Sequence, residues 1–151
     1  MKSQSIRKTV VSASLACGVV CGAWAADAGK VVQVIGDVRM GGAALSAGDA
    51  VKVGDTLATG ADSYLYLKTV DGGFFILRPR STARILAYDV DADNPSKTRV
   101  KMELQQGVAR TVSGEAVKSA RENFRFNTPV AAIGVRGTDF TVFTDAETTR
   151  A

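Results

Sequence analysis

The amino-acid sequence predicts an all-β domain, an antiparallel sandwich or flattened barrel of many short strands with at most one short helix. Pairs of turn-forming residues, mostly glycine with aspartate or asparagine, recur at short intervals. Between them lie short runs rich in valine, isoleucine, leucine, phenylalanine, tyrosine and threonine. Short strand-like runs that alternate with turn signals are typical of β-sandwiches and barrels.

The first 25 residues have the pattern of an export signal rather than of a folded element. Three basic residues, Lys2, Arg7 and Lys8, precede an uncharged, largely apolar stretch. Ala23-Trp24-Ala25 then supplies the small-x-small pattern that signal peptidases cleave, so we expect cleavage after Ala25. A second triplet, residues 26–28, leaves the position open by three residues.

The alternative to cleavage is an uncleaved membrane anchor. Spanning a bilayer takes about 20 predominantly apolar residues. Residues 9–26 provide 18, several of them serine, glycine or alanine, so the sequence favours cleavage. Both cysteines, Cys17 and Cys21, lie in this leader, and Ser14 and Gly18 stand where a lipoprotein signal needs a bulky aliphatic residue. Lipidation is therefore not expected.

The predicted mature chain, residues 26–151, suits one domain without disulfides. It contains no cysteine and no histidine, which excludes a cysteine nucleophile, a Ser–His pair and a histidine-ligated zinc. Most aspartates stand in turns, where backbone geometry explains them. The sequence therefore predicts neither an enzyme nor a bound cofactor.

The net charge of the mature chain does not indicate nucleic-acid binding. Loss of the three basic leader residues from the 19 in the sequence leaves 16 against 15 acidic residues, which turns +4 into +1. No basic stripe with interleaved aromatic residues remains. Arg78, Arg80 and Arg84 form the densest basic group, and we interpret them as a solvated face.

The clearest hairpin is predicted by YLYLKTV and FFILRP, which flank the tripeptide DGG. Leu65 and Leu67 share one face of the first strand, and Tyr64 and Tyr66 share the other. Pro79 cannot donate to a ladder, so it marks a sheet edge or a strand end. The tyrosines are either a partner surface or packed along a sheet rim, and the second interpretation is favoured.

Two further strands show clear alternation. VKMEL places Val100, Met102 and Leu104 inward, and FRFN places Phe124 and Phe126 inward. Between these strands, the sequence EAVKSARENF predicts one or two helical turns or a polar loop, with a lysine and a glutamate four residues apart.

The alternating residues Asp89, Asp91 and Asp93 match the opening of a calcium-binding loop. The match then fails, because Val100 stands where a bidentate glutamate is needed. We therefore predict an acidic hairpin loop and no metal site.

The apolar run TPVAAIGVRGTDFTVF predicts two strands around a kink. Residues 130–135 are expected to form a buried strand, with Gly134 at a bulge or a close approach and Gly137 at the reversal. Phe140 and Val142 share one face of the next strand.

Arg136 is predicted to pair with turn carbonyls or with a carboxylate such as Asp139. Arg136→Ala should then lower stability by about 1–3 kcal/mol. Unchanged melting with loss of a partner would place Arg136 at an interface instead.

These residues resemble the FecR domain, a periplasmic sensor module first known from ferric-citrate signalling. The similarity runs from about Val34 to Phe143, through GDV, GDAVKVGDTLATG, the hairpin block, LQQGVA and FRFNTP, and VRGTDF is its most specific part. The resemblance implies an all-β, protein-binding and non-catalytic domain. The residues that match the closing motif, whether structural or interfacial, are Thr128, Pro129, Val135, Arg136, Gly137, Thr138 and Phe140.

Membrane-spanning members of this family carry a cytoplasmic N-terminal domain, whereas only eight residues precede the apolar run here. The chain therefore resembles the stand-alone exported form. We expect a non-enzymatic protein-binding module of the periplasm or of the secreted fraction of a Gram-negative-type envelope, with a role in signal sensing. Its expected partner is another envelope protein. The alternative is a structural spacer domain of a cell-surface or envelope scaffold.

Overall fold

The computed structural model describes residues 25–135, 137–145 and 149–150. The predicted leader before Ala25, including both cysteines, and Arg136 lie outside these residues. The strands are β1 Asp27–Ile35, β2 Val38–Met40, β3 Ala43–Ala44, β4 Ala50–Lys52, β5 Thr56–Thr59, β6 Tyr64–Thr69, β7 Phe74–Leu77, β8 Thr82–Asp89, β9 Arg99–Val112, β10 Phe124–Asn127, β11 Ala132–Gly134, β12 Asp139–Thr144 and β13 Thr149–Arg150. Helix α1 spans Glu115–Ser119, and 3₁₀ turns span Pro95–Lys97 and Arg121–Asn123.

The strands form one curled sheet, a half-barrel, in the order β3-β2-β5-β8-β9-β7-β6-β1-β4. Strands β10 and β12 also pair with β9, and they carry β11 and β13 respectively. Among the strand pairs of the described residues, only β9 with β10 is parallel. The predicted all-β, mainly antiparallel fold with one short α-helix is thus confirmed.

Strand β9 belongs to both halves of the sheet because it bends near its middle. Its first half pairs with β8 and β10, and its second half pairs with β7 and β12. Met102 and Leu104 point inward in the first half, but Ala109 and Thr111 do so in the second. Even-numbered residues therefore point inward up to Leu104, and odd-numbered residues do so from Ala109 onward. This change accompanies the bend by which the sheet curls around its core.

A buried serine fixes this bend. Gly107 has a φ of +93°, and a β-carbon there would overlap Ser81. The Ser81 Oγ accepts a hydrogen bond from the Val108 N–H at 2.9 Å. The same arrangement recurs at the end of β1, where the Ser63 Oγ accepts a hydrogen bond from the Asp37 N–H at 2.9 Å. At both bends, a buried serine hydroxyl thus accepts a hydrogen bond from a backbone N–H.

The core lies between the two halves of the sheet. Phe75 of β7 packs on Phe126 of β10 at 6.4 Å between ring centroids. Phe140 of β12 packs edge-on against Phe124 and Phe126, each at 5.7 Å. The largest fully buried side chains are Phe75, Phe124, Phe126, Leu57, Leu65, Leu67, Leu77, Ile85, Met102, Leu104, Val51 and Val100.

The predicted hairpin and alternating strands are confirmed. Strands β6 and β7 pair through the DGG turn, Leu65 and Leu67 are fully buried, and Pro79 lies just past the end of β7. The predicted inward residues of VKMEL and FRFN are buried. The helical segment forms α1 and a 3₁₀ turn, and the Lys118 ammonium pairs with Glu115 at 2.7 Å rather than with Glu122.

The acidic segment is a loop between β8 and β9 as predicted, except that Asp89 is the last residue of β8. The Asp91 carboxylate accepts hydrogen bonds from the Asp93 and Asn94 N–H groups at 3.1 and 2.8 Å, which closes a local turn. In the described part of the chain, no group of three or more acidic residues is placed to hold a metal ion. Within the same residues, no helix is long and apolar enough to cross a membrane.

Candidate functional site

The segment that carries the specific family motif folds into the β10–β11 hairpin and the start of β12. Thr128 is buried, and its N–H donates to the Ala131 carbonyl at 2.8 Å. The Thr128 Oγ1 accepts a hydrogen bond from the Ala131 N–H at 3.1 Å. These bonds hold a two-residue turn in which Pro129 and Val130 are exposed. The motif threonine therefore fixes where the hairpin reverses.

The prediction that residues 130–135 form a buried strand is wrong. Val130 stands in the turn with 55% of its surface exposed, and β11 comprises only Ala132–Gly134. Among the described strands β11 pairs with β10 alone, because β9 already occupies the other side of β10. An apolar composition suggested burial, but the topology places this strand at an edge. Gly134 makes no close approach to another described residue, because a β-carbon there would meet none of them within 4 Å.

The register shows which backbone groups of β11 face outward. Residues 128 and 131 are hydrogen-bonded to each other, and facing pairs in an antiparallel ladder alternate between bonded and non-bonded. Phe126 faces Ile133, so the backbone of Ile133 is directed at β10. The N–H and C=O groups of Ala132 and Gly134 then point away from β10. Within the described residues, the hairpin thus presents an unpaired strand edge.

A groove runs beside this edge and consists of two adjoining cavities. The first, of about 560 Å³, lies over the start of β9 and is lined by Lys97, Arg99 and Lys101, among others. The second, of about 760 Å³, reaches Gly134 and Val135 at the end of β11. Glu122 and Arg125 line both cavities. We call the combined cavity the basic groove; its charged residues are Asp89, Lys97, Arg99, Lys101, Arg121, Glu122 and Arg125.

The positive charge of the groove is only partly neutralised. Arg99 lies 3.4 Å from the Asp89 carboxylate. The Arg125 guanidinium instead donates to the backbone carbonyls of Glu122 and Phe124, at 2.5 and 2.9 Å. In the described part of the chain, Lys97, Lys101 and Arg125 have no carboxylate partner. The groove can therefore attract a negatively charged group.

The basic cluster predicted from the sequence does not include the basic residues of the groove. It consists of Arg78, Arg80 and Arg84, which are exposed, and Arg84 donates to the Gly54 carbonyl at 3.1 Å. The alternating strands VKMEL and FRFN could have indicated the groove, because their outward positions include Lys101 and Arg125. The register pairs these two residues across β9 and β10, although they are far apart in sequence.

A carboxylate in the β6–β7 turn fixes the wall of the groove. Asp71 accepts hydrogen bonds from the hydroxyls of Thr69 and Tyr88, each at 2.7 Å, and from the Val117 N–H at 3.3 Å. Its carbonyl accepts from the Glu115 N–H at 3.2 Å. Burial and the nearby Asp71 charge raise the pKa of the Tyr88 phenol well above its ordinary value. The turn thereby anchors α1, which leads directly into the 3₁₀ turn that lines the groove.

The remaining motif residues have mainly structural surroundings. Val135 is buried, and the Thr138 carbonyl accepts from the Ser113 N–H at 2.7 Å. Phe140 belongs to the aromatic core, and Phe140 and Val142 share the inner face of β12 as predicted. Gly137 is exposed. The buried motif residues therefore pack beneath the hairpin, and its outer edge stays accessible.

Asp139 pairs with an arginine that the sequence analysis did not name. The Arg110 guanidinium donates to both carboxylate oxygens of Asp139, at 2.9 and 2.5 Å. This hydrogen bonding lowers the pKa of Asp139. Arg110 lies on β9, the strand that pairs with β12. The proposed alternative partner, Arg136, falls outside the described residues.

Tyr64 and Tyr66 lie half-buried on the outer face of β6, opposite the buried leucines. Tyr66 faces Gln33 of β1 on one side and Ile76 of β7 on the other.

The fold and this site define an all-β domain with an accessible edge strand beside a basic groove. The family described as FecR protein matches residues 55–151, and the chain belongs to the FecR family. Membership in this family points to a signal-sensing or regulatory role at the cell envelope. The match includes the β10–β11 hairpin and most of the sheet, whereas β1–β4 precede it. No curated protein and no solved structure matches the chain.

Proposed function

We propose that this chain is an exported, non-enzymatic protein-binding module that acts in signal sensing in the periplasm. Its partner is another envelope protein, which supplies an extended segment. The observation that carries the proposal is the edge of β11, which no other described strand covers and which lies within the part of the chain that matches the family.

An edge strand binds by adding one more strand to its sheet. The outward N–H and C=O groups of Ala132 and Gly134 form hydrogen bonds with the partner backbone, and alternate side chains of the partner supply specificity. The rest of the sheet and the buried Thr128 hold this edge in place, so little order has to be created on binding.

Other strands also end the sheet. Strands β3 and β13 have two residues each and β4 has three, and β3 and β4 also precede the family match. The β11 edge differs because it adjoins a groove and lies within the segment that resembles the family most specifically. These two properties make it the preferred binding edge.

The test is a crosslinking capture from envelope extract. The protein, purified from the envelope fraction of cells that express the full sequence, carries a photocrosslinking residue in place of the exposed Val130. Ala132→Pro removes an outward N–H without removing a ladder bond to β10, since proline is tolerated where an edge N–H faces solvent. Ala132→Val keeps the N–H and serves as the matched control.

We expect capture of an outer-membrane transporter or a sigma regulator, lost with Ala132→Pro and kept with Ala132→Val. Equal capture by both variants, or no capture above background, would refute edge binding. Recovery of cell-wall or surface-adhesion proteins would favour the structural spacer instead.

A further inference from the structure

We infer that the segment bound at the β11 edge is acidic, with a carboxylate opposite Gly134 that is held by Arg125. This inference rests on the proposed function and specifies the chemistry of the partner. It begins from a row of residues that crosses three strands.

Lys101 of β9 faces Arg125 of β10, and Arg125 faces Gly134 of β11. All three positions are exposed, while the neighbouring residues Met102 and Phe126 point into the core. Facing residues of paired strands project to the same side of the sheet. The row therefore places two cations and then a position without a side chain on one outer face, ending at the open edge.

The absence of a side chain at Gly134 gives Arg125 access to the edge. Among the described residues, a β-carbon at Gly134 would meet nothing within 4 Å, so these residues leave the space above this position open. A partner strand would lie about 4.8 Å beyond β11. The long arginine side chain can lie across Gly134 and direct its guanidinium toward a side chain of that strand.

Charge complementarity favours an acidic segment. Five basic and two acidic residues line the basic groove, although the mature chain as a whole carries a net charge of only +1. Arg125 donates to two carbonyls and keeps further N–H groups for a ligand. A lysine or arginine in the partner would meet like charge in this groove, which opposes binding.

The test uses three fluorescent nine-residue peptides that alternate valine with glutamate, glutamine or lysine. Fluorescence anisotropy measures their binding to the protein purified from the envelope fraction of cells that express the full sequence. We expect the glutamate peptide to bind at least about tenfold more tightly than the glutamine peptide, the scale of one charge-assisted hydrogen bond. Its affinity should fall as salt rises.

Three variants locate the contact. Arg125→Gln and Gly134→Leu should each remove the preference for glutamate, the first by deleting the cation and the second by covering the open position. Lys52→Gln removes an exposed cation at the end of the edge strand β4 and should leave binding unchanged. Because Arg125 also bonds to the backbone, Gly134→Leu keeps the test valid if Arg125→Gln folds poorly.

The outcomes separate the two proposals. Binding of glutamate and glutamine peptides with equal affinity, lost with Ala132→Pro, would refute the acidic partner and keep strand addition. No binding of any peptide at millimolar concentration would refute the acidic segment, while the crosslinking capture tests the proposed function independently. Binding of anionic vesicles that is lost with Arg125→Gln but kept with Ala132→Pro would show a lipid surface instead and overturn the inference.

Discussion

Asp71 provides the sharpest test of how this fold supports its groove. Asp71→Ala deletes a carboxylate that accepts hydrogen bonds from Thr69, Tyr88 and the Val117 backbone. Thr69 and Tyr88 are both buried, so water cannot readily replace the lost acceptor. The substitution therefore leaves two buried hydroxyls without their partner, in addition to weakening the anchor of α1.

The size of the effect follows from these bonds. A hydrogen bond to a charged group contributes about 1.5–3 kcal/mol, and an unpaired buried donor costs a similar amount. Two such bonds at 2.7 Å give an expected loss of about 3–6 kcal/mol on Asp71→Ala. Since small domains have a total stability of about 5–15 kcal/mol, this loss is large enough to measure without ambiguity.

Urea unfolding followed by circular dichroism measures the loss. Asp71→Asn keeps one acceptor oxygen but removes the charge, so it should cost about half as much as Asp71→Ala. Tyr88→Phe removes one donor. The double variant with Asp71→Ala should show a coupling free energy of about 1 kcal/mol or more, as expected for residues in direct contact.

A change below about 0.5 kcal/mol for Asp71→Ala, the size of ordinary surface effects, would refute this account. Additive effects of Asp71→Ala and Tyr88→Phe would likewise show that the two side chains do not depend on each other. If the account is correct, the variants should also loosen the 3₁₀ turn at Arg121–Asn123. Amide hydrogen exchange there should then be faster than in the parent protein.

Three further predictions concern single positions. A β-carbon at Gly114 would overlap Asp71, so Gly114→Ala should lower the free energy of unfolding by about 1–3 kcal/mol, whereas Gly134→Ala should melt at or above the parent midpoint. Because the pKa of Tyr88 is raised in the folded protein, its contribution to stability is present below about pH 10 and lost as pH rises above it. Melting temperatures between pH 8 and 12 should fall less for Tyr88→Phe than for the parent. The Thr111 hydroxyl is buried without a hydrogen-bond partner among the described residues, so Thr111→Val should raise stability by about 1 kcal/mol in urea unfolding. A lower stability of Thr111→Val would indicate a partner for that hydroxyl.

Local sequence patterns were enough to predict strands that have one buried face and one exposed face. The alternation in VKMEL predicted that Val100, Met102 and Leu104 point inward, because one face of that strand meets the core. The DGG turn predicted the β6–β7 hairpin, and Gly72 has the positive φ that such a turn requires. In these segments the period of two and the turn chemistry specify the same structure.

Contacts between distant segments could not be predicted in this way. Asp139 pairs with Arg110, which lies 29 residues away, because β12 lies beside the second half of β9. Nearness in sequence suggested Arg136, which lies outside the described residues, and gave no sign of Arg110. The change near Gly107 in which residues of β9 point inward could not be predicted either. It depends on the buried Ser81, which contacts Gly107 and accepts a hydrogen bond from the Val108 N–H.

The position of β11 shows why the candidate site required the topology. Its apolar residues would suit a buried strand, but β10 pairs in parallel with β9 and leaves only its outer side for β11. The same parallel pairing places Lys101 beside Arg125. One feature of the topology, the return from β9 through α1 to β10, thus creates both the open edge and the row of cations beside it. Because both depend on the same strand pairing, a variant that disrupts β10 should abolish strand addition and charge selectivity together, whereas Gly134→Leu should affect charge selectivity alone.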